Sequence, residues 1–92
     1  MRAWGDRLEE TVSDEELLSR ITSDPDVMVG QPCIRGTRLT VKYIVSRLGH
    51  GSTIEDILEE YQGLEREDIL ACLLFAARML EDITFVPLAS AV

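Results

Sequence analysis

Ile69 to Ala77 is a run of nine residues without one polar side chain, and it lies inside a helical pattern extending from about Glu65 or Arg66 to Glu81. A helix that is apolar on every side has to be covered on every side. The chain has only 92 residues, 10.3 kDa, with which to cover it. A domain of that size buries roughly 60–65% of the surface its unfolded chain exposes. Two answers are open. A second copy of the chain covers the helix, or the tail Ile83-Thr84-Phe85-Val86-Pro87-Leu88 folds back over it. The surface argument favours a homodimer, with Leu70, Leu73, Leu74 and Ala77 on the shared face.

Upstream of that helix the chain divides by its punctuation. Residues 1–19 form an N-terminal extension, 20–82 the main domain and 83–92 a C-terminal tail. Ser13-Asp14-Glu15-Glu16 fits a capping box opening a short helix to about Arg20, with Leu17, Leu18 and Ile21 as its apolar face. Asp24-Pro25-Asp26 stops it, because the residue before proline is pushed away from helical angles. Two β-prone runs, Cys33-Ile34 and Thr37-Arg38-Leu39, flank Arg35-Gly36, a pattern that predicts a tight hairpin. So short a hairpin is marginal alone, and pairing along its edge with another chain, through Ile34 and Leu39, would complete it. Helices are then expected over 41–48, with Thr40 as cap, and over 53–61, opened by Ser52-Thr53-Ile54-Glu55. The second of these has an apolar stripe of Ile54, Ile57, Leu58 and Tyr61 and an acidic stripe of Glu55, Asp56, Glu59 and Glu60. Gln62-Gly63-Leu64 separates it from the apolar helix. The fold class is mainly α: a three-helix, helix-turn-helix-like bundle preceded by a short β-hairpin or strand element, dimeric.

Charge gives the first functional direction. The net charge is −8, yet Val27 to Ile54 contains no acidic residue while holding Arg35, Arg38, Lys42 and Arg47. Such a dipolar chain suits one surface turned to an anion and another turned elsewhere. The competing reading is that these cations balance a neighbouring acidic helix, with Arg35 and Arg38 holding Asp24 or Asp26. The apolar helix is a poor groove reader, offering Arg66 and then Glu67 and Asp68. If the protein contacts double-stranded DNA, Arg35, Arg38, Lys42 and Arg47 are the stronger contacts, with Arg66 in addition.

Other chemistry is thinly represented. Cys33 and Cys72, 39 positions apart, do not make a disulfide-dense framework, and a single histidine with no paired cysteines assembles no zinc site. No cofactor motif stands out, since Gly30-Gln31-Pro32 lacks the lysine and length of a phosphate loop. His50 lies in a glycine turn without a positioned partner, so no enzyme constellation forms. No apolar run approaches the ~18–20 residues of a membrane span and no secretory leader pattern is present, so a cytoplasmic location without membrane attachment is expected.

The run from Asp24-Pro25-Asp26 through Gly30-Gln31-Pro32-Cys33-Ile34-Arg35-Gly36-Thr37-Arg38-Leu39-Thr40-Val41, with Gly51-Ser52-Thr53-Ile54-Glu55-Asp56-Ile57-Leu58 and Tyr61, resembles the domain-of-unknown-function family numbered 433. The similarity covers about residues 20–80. It implies a small dimeric helix-turn-helix-like domain, commonly regarded as the antitoxin of a type II toxin–antitoxin pair with a PIN-like ribonuclease as partner. The chain has Glu65 where the family usually places Ser or Thr. An antitoxin of this kind would bind operator DNA through its basic surface and a toxin through an apolar or acidic one, with Phe85, Val86 and Leu88 as candidate toxin contacts. A stand-alone transcriptional regulator and a protein-binding adaptor without DNA binding are the alternatives.

Overall fold

A computed structural model describes residues 13–81. The expected toxin contacts Phe85, Val86 and Leu88 lie outside those residues. Along the described chain run α1 (Asp14–Leu18), β1 (Ile21–Thr22), a turn at Met28–Gly30, β2 (Cys33–Ile34), α2 (Val41–Gly49), α3 (Ile54–Glu60) and α4 (Arg66–Met79). The protein is mainly helical, with four α-helices and one two-stranded antiparallel sheet among these residues. No described helix is long and apolar enough to cross a membrane.

Local chemistry explains most boundaries. Ser13 Oγ accepts the Glu16 N–H at 3.2 Å and opens α1. The helix stops at Leu18, two residues short of the expected end, and the Ser19 hydroxyl closes it by donating to the Glu16 carbonyl at 2.7 Å. Ile21 therefore is not on the face of α1. It starts β1, where Ile21 pairs with Ile34 and Thr22 with Cys33.

That pairing corrects the expected hairpin. The turn at Arg35-Gly36 does form, with the Thr37 N–H donating to the Ile34 carbonyl at 3.0 Å and Gly36 at φ +80°. Residues 37–39, however, do not make a strand. Thr37 Oγ1 donates to the Ile34 carbonyl at 2.8 Å and accepts the Leu39 N–H at 3.0 Å, which curls the segment around its own side chain. Past Thr37 the chain meets β2 again in a single Cys33–Thr40 bridge, flanked by Ile34 N–H to the Leu39 carbonyl and Val41 N–H to the Pro32 carbonyl, each at 2.9 Å. The chain's own β1 thus takes one edge of β2.

Helix starts follow the side chains that can reach back. Thr40 Oγ1 accepts the Tyr43 N–H at 3.0 Å and caps α2. The α3 cap is Thr53, one residue later than expected, because Thr53 and Asp56 satisfy each other's backbone at 3.0 and 2.9 Å. Ser52 is occupied elsewhere, accepting from Arg47 Nε at 3.1 Å. At α4, Asp68 Oδ2 accepts the Glu65 N–H at 2.8 Å, the half of a capping box contributed from within the helix, while the Asp68 N–H donates to the Glu65 carbonyl at 2.9 Å.

The core centres on α4, which packs against α1, β1, α2 and α3. Ile34, Val41, Ile44, Ile57, Ile69 and Cys72 are its buried residues, with Leu39, Leu48, Leu58, Leu64 and Phe75 half-buried around them. Burial of an isoleucine of this kind stabilises by roughly 1.5–3 kcal/mol. Coverage of α4 is one-sided: Ile69, Ala71 and Cys72 are fully buried, while Leu73 remains 39% exposed.

One segment is strained. Met28, Val29 and Gly30 have φ of 49°, 55° and 80°, a left-handed turn closed by Gly30 N–H to Val27 O at 3.1 Å and Gln31 N–H to Met28 O at 3.0 Å. The Ser23 hydroxyl donates to the Gly30 carbonyl and pins the end of the turn. Left-handed angles cost an ordinary L-residue about 1–2 kcal/mol, more for a β-branched one. Val29 is 94% exposed and recovers little of that by packing. Val29→Gly is therefore expected to raise stability by about 1 kcal/mol after glycine's larger unfolded-state entropy is counted, measured by urea denaturation; an equal or lower midpoint would contradict the strain.

The α3 cap carries a pH signature. The backbone hydrogen bond from Thr53, then its side chain, hold the Asp56 carboxyl below its ordinary 3.8. A carboxyl depressed in the folded state contributes stability that is complete above the unfolded value and lost as pH falls through the folded one. Asp56→Asn should flatten the fall in stability below about pH 4, followed by circular dichroism; an unaltered acid limb would place the sensitivity elsewhere.

Candidate functional site

The cations of the chain sort into two groups by what they touch. Arg20, on the turn between α1 and β1, donates from Nη1 to Glu65 Oε1 at 2.9 Å and Asp68 Oδ1 at 3.0 Å. Those two carboxylates raise its pKa, Glu65 first. Arg78 pairs with Asp14 at 2.9 Å and Glu81 at 3.8 Å, and Arg66 stands 3.9 Å from Glu55. Arg47 reaches Glu60 Oε1 at 2.9 Å, Ser52 Oγ at 3.1 Å and Tyr43 Oη at 3.0 Å. Of the five expected DNA contacts, Arg47 and Arg66 are therefore partnered by acids of α3.

Arg35, Arg38 and Lys42 form the other group, and among the described residues none of them makes an ion pair. Arg35 Nη1 donates only to the Ser19 carbonyl at 3.1 Å, which orients the guanidinium and leaves its charge uncancelled. Asp24 is not its counterion. That carboxylate accepts the Asp26 N–H at 2.9 Å and shapes the turn after Pro25. The three cations sit on the Ile34–Leu39 turn and the first turn of α2, all exposed. Arg38 borders a groove of about 440 Å³ shared with Thr22, Asp24, Gln31 and Thr37.

A polar cluster beside them could not be read from spacing alone. The Tyr43 and Tyr61 hydroxyls lie 2.9 Å apart, their rings edge-to-face with centroids 6.4 Å apart. The Arg47 guanidinium stands 5.8 Å from the Tyr43 ring centroid. The Tyr43 pKa is lowered, by the Tyr61 hydroxyl first and Arg47 second, while that of Tyr61 is raised by its bond to Tyr43. Tyr43 and Arg47, four apart on α2, carried a local signal; Tyr61 joins them only through the fold.

The expected dimer residues separate. Ile34 is 2% exposed inside the single chain's core, so it has no surface to give a second copy. Leu39 is half-buried against the same core. Leu70 and Leu74 are half-buried and Leu73 and Ala77 exposed, on the outward side of α4. Met79 and Leu80, 62% and 59% exposed, continue the apolar surface past them. Both cysteines are buried and free; burial pushes the Cys72 thiol up to about 12. No group of three His, Cys, Asp or Glu side chains among the described residues is arranged to hold a metal.

A family model described as a protein of unknown function (DUF433) matches residues 21–76. The chain belongs to that family. It is 32% identical over 76 residues to the uncharacterized protein y4eO of Sinorhizobium fredii, a match spanning 83% of this chain and 33% of that protein. The chain thus spans about a third of that relative's length. A DUF433 member protein from Anabaena variabilis, known from a crystal structure, is similar with a TM-score of 0.64 and 28% identity, over 90% of this chain and 94% of that one.

The tyrosine pair offers an optical check on the cluster. Removing the Tyr61 hydroxyl deletes the largest cause of the Tyr43 shift, so in Tyr61→Phe the phenolate absorbance of Tyr43 should rise at higher pH than in the parent. A Tyr43 titration that stays put would mean the two hydroxyls are not bonded.

Proposed function

We propose that this DUF433 domain is the antitoxin half of a type II pair, binding operator DNA as a dimer and neutralising a PIN-like ribonuclease. The observation that carries the DNA half is the sorting of the cations. Arg20, Arg47, Arg66 and Arg78 are bound to carboxylates, while Arg35, Arg38 and Lys42 face solvent without an acidic partner among the described residues. Affinity for duplex DNA comes chiefly from cations that neutralise phosphates and release counterions, and a cation already paired inside the protein supplies little of it.

The dimer half rests on the outward side of α4, where Leu70, Leu73, Leu74 and Ala77 would face a second copy. The acidic stripe of α3, Glu55, Asp56, Glu59 and Glu60, lies on an exposed face, with Glu59 unpaired among the described residues, Glu55 and Glu60 beside Arg66 and Arg47, and Asp56 holding the helix cap. Carboxylates so displayed suit a ribonuclease, whose cations otherwise hold RNA phosphates.

Fluorescence anisotropy with the duplex upstream of the protein's own gene, across a salt series, tests the reading. Binding should weaken steeply with salt, and Arg38→Ala with Lys42→Ala should flatten the slope by about one for each phosphate no longer neutralised. Absence of binding at low salt would remove the DNA half and leave an adaptor. Light scattering should give twice 10.3 kDa for the parent and a monomer for Leu73→Asp. A neighbouring PIN-like ribonuclease should co-purify, and a gene that stands alone would favour a simple regulator.

A further inference from the structure

We propose that α2, and not α4, is the helix that enters the major groove, with the outward row Lys42, Ser46 and His50 reading base edges. The inference rests on the DNA-binding reading above and goes further by naming the reading element. In a helix-turn-helix arrangement of α2, α3 and α4, position in the chain would give that task to α4. Its chemistry argues otherwise. At the head of α4 Asp68 is buried and, with Glu65, is held by Arg20, Glu67 has no ion pair among the described residues, and the one cation of that turn, Arg66, stands 3.9 Å from Glu55. That end therefore offers a phosphate backbone no uncommitted cation.

The charge on α2 is complementary. Val41–Gly49 contains no acidic residue and belongs to the acid-free stretch from Val27 to Ile54. Lys42, Ser46 and His50 are all exposed and follow at intervals of four, so they stand in one row on the helix surface. From first to last the row rises about 12 Å, comparable to the major-groove width of about 12 Å and long enough for three or four base pairs. Gly49, also exposed, adds no bulk beside it. Of the acids of α3 near α2, Glu60 is neutralised by Arg47 at 2.9 Å, and Asp56, which also feels the Arg47 charge, is committed to the α3 cap. Arg38 lies two residues before the Thr40 cap, placed to hold a flanking phosphate while the row reads bases.

The donors and acceptors of the row are defined. Lys42 is a donor only, which suits guanine O6 and N7. His50 Nδ1 lies 2.7 Å from the Ser46 carbonyl. A carbonyl only accepts, so Nδ1 carries the hydrogen, and in the uncharged ring Nε2 is left as an acceptor for the amino group of cytosine or adenine. The same bond fixes the ring beside Ser46, whose hydroxyl can act either way.

The test compares the full chain's affinity for the duplex upstream of its own gene with that for a shuffled duplex of equal length and composition, by anisotropy at fixed salt. Lys42→Ala and His50→Ala should each cut the ratio of the two affinities about tenfold or more, with thermal melts unchanged, while Arg66→Ala keeps it within about twofold. A ratio that survives both α2 variants, or collapses in Arg66→Ala, overturns the inference and leaves the DNA-binding reading intact. Equal affinity of the parent for both duplexes also overturns it, because a phosphate-only binder has no reading helix. Binding to neither at low salt overturns both.

Discussion

At the head of α4 the carboxylate of Asp68, a buried residue, receives the Arg20 guanidinium on one oxygen and the Glu65 N–H on the other. The first contact ties β1's approach to the central helix, and the second starts that helix. A buried carboxylate without these donors would face the full desolvation penalty of an unpaired charge. The arrangement of the small sheet against α4 follows from this, because Arg20 is also the residue whose carbonyl accepts the Arg35 N–H at 2.7 Å. One arginine therefore fixes the acid beneath it with its side chain and the Ile34–Leu39 turn with its backbone.

Satisfying acids inside the fold also decides which charges remain outside. Arg20, Arg47 and Arg78 link elements distant in sequence, so their positive charge is cancelled where it is used. What is left uncancelled is local: three cations on one turn and the first turn of the next helix. Net charge alone, at −8, hides this separation, which appears only once partners are assigned. The apolar surplus is partitioned in the same way, with the inward side of α4 consumed by the core and the outward side, from Leu70 to Leu80, left against solvent.

Much of this was legible in the sequence. The ranges of α2, α3 and α4, the Ser13 and Thr40 caps and the Arg35-Gly36 turn all come from interactions spanning four residues or fewer, where spacing is sufficient. What spacing could not supply was the competition among partners. Ser52 and Thr53 are equally plausible caps until Arg47 claims the serine. Thr37 has the propensity of a strand residue until its hydroxyl finds two backbone groups nearby. β1 is two residues long and its partner lies beyond a proline turn, so no periodicity announces it. That a neighbouring acidic helix balances some of the cations is one of two readings of the charge pattern, but which cations α3 takes, Arg47 by Glu60 and Arg66 by Glu55, is decided only by the packing of the helices on either side of it.

The two thiols carry a consequence of their own. Cys72 is completely buried, with its ionisation pushed to about 12, and Cys33 is 3% exposed with its sulfur donating to the Gln31 carbonyl at 3.3 Å. Alkylating reagents need an accessible sulfur, which neither group presents while the fold is closed. Cys33 belongs to the sheet and Cys72 to the middle of α4, so the order in which they become labelled would time the loosening of the sheet edge against the opening of the whole molecule. Two ordinary core atoms thus make the chain its own recorder of how it comes apart.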